Sequence, residues 1–93
     1  MLFESKKADN CFSDAENYEY RIAVIGEEFI KLLNDLAVSV RINDKLRRPV
    51  FMAELENGTR IKGVLAKSTI KVGYLLSAAS EQKECFEQWL KAL

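Results

Sequence analysis

Val50-Phe51-Met52-Ala53-Glu54-Leu55-Glu56-Asn57-Gly58-Thr59-Arg60-Ile61-Lys62-Gly63-Val64-Leu65 reads as two strand-like runs joined at Asn57-Gly58. An Asn-Gly step between β-type runs marks a hairpin, because the turn needs a positive φ that glycine adopts without strain. A two-residue loop would set Leu55 opposite Arg60 and Ala53 opposite Lys62, mixing apolar and basic side chains on one face. A three-residue loop, Glu56-Asn57-Gly58, pairs Leu55 with Thr59 instead. Phe51, Ala53 and Leu55 then share a face with Ile61, Gly63 and Leu65, while Glu54 stands opposite Arg60. A one-residue slip moves every side chain to the other face, so consistency of the faces selects the three-residue loop.

Outward from this hairpin the chain alternates between strand and helix patterns. Tyr18–Ile25 is rich in aromatic and β-branched residues and is expected to be a strand, broken by Gly26. Residues 27–37 follow as a helix, with Phe29, Ile30, Leu32, Leu33 and Leu36 on one face and Glu27 and Glu28 in the first turn. Val38, Val40 and Ile42 alternate with polar residues in a half-buried strand, and Asp44–Pro49 forms a basic turn. Ile70, Val72, Tyr74 and Leu76 alternate in a further strand. A last helix is expected from Ser80, as N-cap, to the C-terminus, with Cys85, Phe86, Trp89, Leu90 and Leu93 as its apolar stripe. Residues 1–17 are expected to be loosely ordered, with a short strand at Leu2–Glu4 and an anchor at Phe12. The predicted fold is α+β: one domain over residues 1–93, with a mostly antiparallel sheet of four to five strands packed by two helices. The expected order is β-α-β-β-β-β-α.

Composition narrows the class. Ninety-three residues with 48% hydrophobic and 30% charged side chains suit an ordinary globular domain. There is no apolar run of the ~20 residues that a membrane helix needs. There is no basic start followed by an apolar stretch, and two cysteines do not make a disulfide scaffold, so a cytoplasmic, reduced protein is the expectation. Net charge is zero but unevenly distributed. Residues 1–35 hold four basic and eight acidic side chains. Residues 36–77 hold Arg41, Lys45, Arg47, Arg48, Arg60, Lys62, Lys67 and Lys71 against Asp44, Glu54 and Glu56.

Catalysis is not expected. The chain has no histidine, which removes the commonest general base. No cofactor or metal is expected either: Cys11 and Cys85 stand far apart, and the Gly58–Gly63 spacing lacks the Lys-Ser/Thr of a phosphate loop. Cys85 reads as core filler within the last helix; Cys11 stays open between filler, disulfide and reactive thiol.

The basic residues carry the functional reading. Arg60 and Lys62 should project from one hairpin face and Arg47 and Arg48 from the turn that feeds it. Together with Arg41 and Lys45 they could line a sheet surface against phosphates, meet an acidic protein partner, or be a solvated face whose lysines discourage edge pairing. Stacking aromatics for a nucleic acid would have to come from Tyr18, Tyr20 and Tyr74, which serve equally well as core. Phe86, Trp89 and Leu90 likewise suit the core or a partner face.

Arg47-Arg48-Pro49-Val50, followed by Gly58, Gly63 and Ser68, loosely resembles the opening of PilZ-type cyclic-dinucleotide receptors. Ala66 and Lys71 stand where that family's second motif has Asp/Asn and Gly, so neither ligand nor site is carried over.

The expected function is a non-enzymatic protein-binding module. Its most concrete form is a small inhibitor or adaptor of the immunity-protein, antitoxin or phage-encoded anti-defence kind. Arg47, Arg48, Arg60 and Lys62 are the candidate partner contacts, with Glu27 and Glu28 as the acidic counterpart. A nucleic-acid-binding sheet and a homo-oligomeric regulatory or scaffold subunit, including a homodimer, are the alternatives.

Overall fold

In the computed structural model, which describes residues 1–9, 11–45 and 47–93, Gly58 takes φ +93° and closes the hairpin as expected. The Leu55 N–H donates to the Thr59 carbonyl at 2.8 Å, and the Gly58 N–H returns to the Leu55 carbonyl at 3.0 Å. Strand register follows: Glu54 faces Arg60, Ala53 faces Ile61 and Phe51 faces Gly63. Asn10 and Leu46, which fall in two of the expected loop stretches, lie outside the described residues.

Among the described residues the chain forms β1 (Phe3–Lys7), β2 (Ala15–Ile22), α1 (Gly26–Leu33), β3 (Ala37–Asn43), β4 (Val50–Leu55), β5 (Arg60–Val64), β6 (Thr69–Leu75) and α2 (Ala79–Ala92). A short 3-10 turn at Leu76–Ala78 leads into α2. The strands make one six-stranded sheet, β1-β2-β6-β5-β4-β3, and every neighbouring pair is antiparallel. The crossover that contains α1 carries the chain from β2 to the opposite edge, from which three successive hairpins return to β2's side.

The α+β class is as expected, but the strand count is corrected from four or five to six. The addition is β1, which extends to Lys7 the short strand expected at Leu2–Glu4 within a stretch otherwise expected to be loop. Its pairing with β2 sets Lys6 beside Glu19, bridged at 3.3 Å. Its alternation is masked by Lys6-Lys7, which cover an edge rather than a core.

Other boundaries move for physical reasons. α1 ends at Leu33, two turns long, because Phe29 and Leu33 complete its buried stripe and the Leu36 N–H caps the Leu33 carbonyl at 2.9 Å. Gly26 opens this helix instead of merely breaking a strand. A Cβ there would lie 2.5 Å from the Val64 carbonyl oxygen, so only glycine permits this approach. β3 is an edge strand with a bulge between Ala37 and Ser39, which leaves Val38 and Ile42 exposed and only Val40 partly buried. Ser80 is not the cap of α2: Ala78 holds that position without a side-chain bond. Gln82, one turn in, accepts the Leu75 N–H at 2.9 Å and donates to the Asn57 carbonyl at 2.6 Å. One side chain thus ties the start of α2 to the end of β6 and to the β4–β5 turn.

Both helices cover the same face of the sheet. Phe86 of α2 lies 5.4 Å from Tyr20 and 6.4 Å from Tyr74, and Trp89 bridges Phe86 at 5.8 Å to Phe29 of α1 at 5.9 Å. Aromatic pairs at these separations and tilts add about 0.5–1.5 kcal/mol beyond their buried area. All three tyrosines therefore belong to this layer and none is free for base stacking. Cys85, expected as filler, is exposed, and Gln82 is buried on that helix instead.

A polar chain runs through the layer. Tyr20 and Tyr74 share a hydroxyl hydrogen bond of 2.5 Å, Tyr20 donates to Glu87 Oε2 at 2.8 Å, and Lys83 bridges Glu87 at 2.8 Å. Burial pushes the pKa of both phenols well above the ordinary tyrosine value, and donation to the Glu87 carboxylate raises that of Tyr20 further. No helix among the described residues is long and apolar enough to cross a membrane.

Candidate binding face

The face of the sheet away from the helices carries the remaining chemistry. Strand alternation places Glu4 and Lys6 of β1, Glu19 and Arg21 of β2, Thr69 and Lys71 of β6, and Arg60, Lys62 and Val64 of β5 on it. β4 adds Val50, Met52 and Glu54, and β3 adds Ser39, Arg41 and Asn43. One cross-strand row therefore runs Arg41, Met52, Lys62, Lys71, Glu19, Lys6.

Arg60 and Lys62 are brought together, and the loop between β1 and β2 folds over them. The Arg60 guanidinium lies 5.0 Å and the Lys62 ammonium 4.8 Å from the centre of the Phe12 ring. Arg60 Nη2 also donates to the Ser13 carbonyl at 2.8 Å, and Lys62 Nζ to the Cys11 carbonyl at 2.6 Å. The loop is held from below by buried Asn17, whose Oδ1 accepts the Phe12 N–H at 3.1 Å and whose Nδ2 donates to the Phe12 carbonyl at 3.2 Å. Asp14 completes the turn at φ +52°, a left-handed conformation that aspartate tolerates better than most residues. Phe12 is thus the expected anchor, on the outer face instead of in the core. Asn17 gave no signal in the sequence, where it fell in the expected loop; β2 starts at Ala15 instead of Tyr18 and ends at Ile22.

Gly73 makes this seat possible. A Cβ at Gly73 would fall 2.6 Å from Phe12 Cδ2, 3.0 Å from its Cγ and 3.1 Å from its Cβ. The whole side chain would have to move, not just its tip. Gly73→Ala is expected to cost about 1–3 kcal/mol of stability, in the range of overpacked sites. The unseated loop should also be cut faster by protease between residues 9 and 14. Denaturant unfolding with limited proteolysis checks both; unchanged cleavage would mean that Phe12 does not rest on Gly73.

Beside the covered part lies an open groove. One concavity of about 280 Å³ is lined by Val50, Lys62, Val64, Lys67, Thr69 and Lys71. A second of about 420 Å³ continues it through Arg41, Asn43, Val50, Met52 and Lys62. Valine, methionine and threonine side chains form the floor, and Arg41, Lys62, Lys67 and Lys71 stand around it. No carboxylate lines either concavity among the described residues. The nearest one in the row, Glu19, is engaged by Lys6.

The other candidates lie elsewhere. Arg47 and Arg48 are exposed in the connection between β3 and β4, and Glu27 and Glu28 are exposed on α1 in the helix layer. Cations predominate on the open sheet face, whereas Glu27, Glu28, Glu81 and Glu84 lie exposed in the helix layer. Lys67 and Lys71 were legible only as members of a basic segment; the pairing of β3, β4, β5 and β6 gathers them with Arg41, already expected on the basic sheet surface, into one groove. A scan against protein-family models finds no match, and comparisons with curated proteins and with solved structures find none, so the residues alone carry the functional reading.

Proposed function

We propose that the chain is a non-enzymatic binding module, an inhibitor or adaptor that lays the open face of its sheet against an acidic, partly apolar surface of a partner protein. The observation that supports this most is the groove: an apolar floor containing half-exposed Met52, ringed by Arg41, Lys62, Lys67 and Lys71, with no acid in its lining among the described residues. Protein interfaces have this anatomy, an apolar centre that loses water on contact and a charged rim that steers and orients the partner. Lys62 is held at its head by the Cys11 carbonyl, so one cation of the groove is already positioned before any partner arrives.

A nucleic-acid reading draws on the same cations, since Arg41, Lys62 and Lys71 form a row across the strands. It is the weaker reading because the aromatic on this face, Phe12, is already occupied by two cations and the tyrosines are turned inward.

The test compares the wild type with Lys67→Glu/Lys71→Glu, two residues with exposed side chains. Proteins from the source cell that are retained by the wild type are identified, purified and titrated directly. The expected result is an acidic partner whose affinity falls tenfold or more in the variant and changes modestly between low and physiological salt. Binding of mixed-sequence DNA or RNA with a steep log-linear salt dependence would instead establish phosphate recognition. An identified partner bound equally by both proteins would remove the groove as the site.

A further inference from the structure

The two edges of the sheet differ in how they are protected. β1 carries Glu4, Lys6 and Lys7, and the amino terminus beside it is held by the Leu90 and Leu93 carbonyls at 3.0 and 2.6 Å. Charge of this kind discourages another strand from pairing. β3, the opposite edge, has Arg41 as its only charge and exposes Val38 at 63% and Ile42 at 53%. Its bulge lies at one end, between Ala37 and Ser39, and the run from Ser39 to Asn43 pairs regularly with β4.

The direction of the free backbone groups follows from the hairpin. The Leu55 N–H donates to the Thr59 carbonyl, and Ala53 and Phe51 continue in the same phase opposite Ile61 and Gly63, so these residues turn their polar groups toward β5. Alternation turns Glu54, Met52 and Val50 toward β3, and their partners Ser39, Arg41 and Asn43 toward β4. The N–H and C=O groups of Val40 and Ile42 therefore point away from the sheet, without a strand to receive them.

We propose that β3 pairs with β3 of a second copy of the chain, antiparallel about a two-fold axis at Val40, to give a continuous sheet across a homodimer. The strand is complementary to itself in this register. Val40 meets Val40, Arg41 lies beside Ser39, and Ile42 reaches the exposed bulge residue Val38 at the end of the second copy's strand. Moving the axis to Arg41 would set two guanidinium groups opposite each other, which is unfavourable. The pairing also brings the Arg41–Met52 ends of two grooves side by side on the open face. This inference rests on the edge strand and holds whatever the groove binds.

Five to six paired residues bury less than the ~1,200 Å² of a standard interface, so association is expected at roughly tens to hundreds of micromolar protein. Sedimentation velocity of the full chain across that range should show a monomer–dimer equilibrium. Ile42→Lys, at a half-exposed position, and Val40→Pro, which removes an N–H not used by β4, should each weaken it at least tenfold. Their circular dichroism should remain that of the folded chain. In a Cys11→Ser/Cys85→Ser background, Val40→Cys should oxidise to a disulfide-linked dimer, since facing residues of a bonded antiparallel pair lie about 5.5 Å apart. Lys7→Cys on the opposite edge should not. A monomer at every concentration would overturn the proposal. So would a dimer that survives both variants, which would place the contact on another surface.

Discussion

Phe86→Ala should remove about 3–5 kcal/mol of folding stability, as large-to-small changes at enclosed aromatic sites do. Phe86 is 2% exposed and touches Tyr20, Tyr74 and Trp89, so its ring joins α2 to β2 and β6 and to the aromatic that reaches α1. Removing it leaves a void that these rings, each fixed by its own neighbours, cannot fill together. Domains of this size hold only about 5–15 kcal/mol in total, and each kcal/mol is worth about 4–8 °C of melting temperature. The variant is thus expected to melt tens of degrees lower, with Trp89 fluorescence as the probe in thermal and denaturant unfolding. A loss below about 1 kcal/mol would mean that α2 does not pack on β2 and β6 through this ring.

Alkali should unfold the protein from about pH 10 upward, because of the same layer. Tyr20 and Tyr74 have folded pKa values raised above the unfolded value of 10.0, by burial first, and for Tyr20 also by its bond to the Glu87 carboxylate. A raised pKa means that the folded state keeps a proton the unfolded chain gives up. The stabilisation is complete below pH 10 and is lost as the pH climbs through the unfolded value toward the folded ones. Each such tyrosine costs about 1.4 kcal/mol per pH unit in that window, so two of them cost about 5 kcal/mol by pH 12. Lys83, whose pKa is raised by its bond to Glu87, acts in the same direction at slightly higher pH. The measurement is phenolate absorbance followed beside circular dichroism. Tyr18, at the rim, should ionise first, and the signal of the other two should appear only together with unfolding. Tyr20→Phe should lower stability at neutral pH by about 1–3 kcal/mol, since Tyr74 and Glu87 each lose a partner. It should also shallow the alkaline slope. A full three-tyrosine titration of the native protein would contradict the buried chain.

The open groove and the covered cations have different consequences for mutagenesis. Arg60 is already committed to Phe12 and the Ser13 carbonyl, so its loss acts first on the loop and only then on any partner. Lys67 and Lys71 are exposed and make no ion pair among the described residues, which is why the binding test is placed on them.

What could be read along the chain was whatever is repeated at short range. The three-residue loop at Glu56-Asn57-Gly58 followed from a positive φ that glycine alone accepts freely and from a two-residue alternation that only one register keeps consistent. The α+β class and the inward set Phe29, Leu33, Phe86 and Leu90 followed in the same way, from helical spacing. The tertiary structure decided everything that depends on distant partners. β1, expected only as a short strand at Leu2–Glu4, extends to Lys7 because β2 offers Glu19 and a backbone edge. Cys85, expected as core filler, is exposed, while Gln82 is buried and bonded to the Leu75 N–H and to the carbonyl of Asn57, 25 positions earlier. Arg60 and Lys62 look alike as free cations until a loop 47 and 51 positions earlier caps them. Local periodicity constrains which way a side chain points; what it then meets is set by chain closure over tens of residues, which no short pattern encodes.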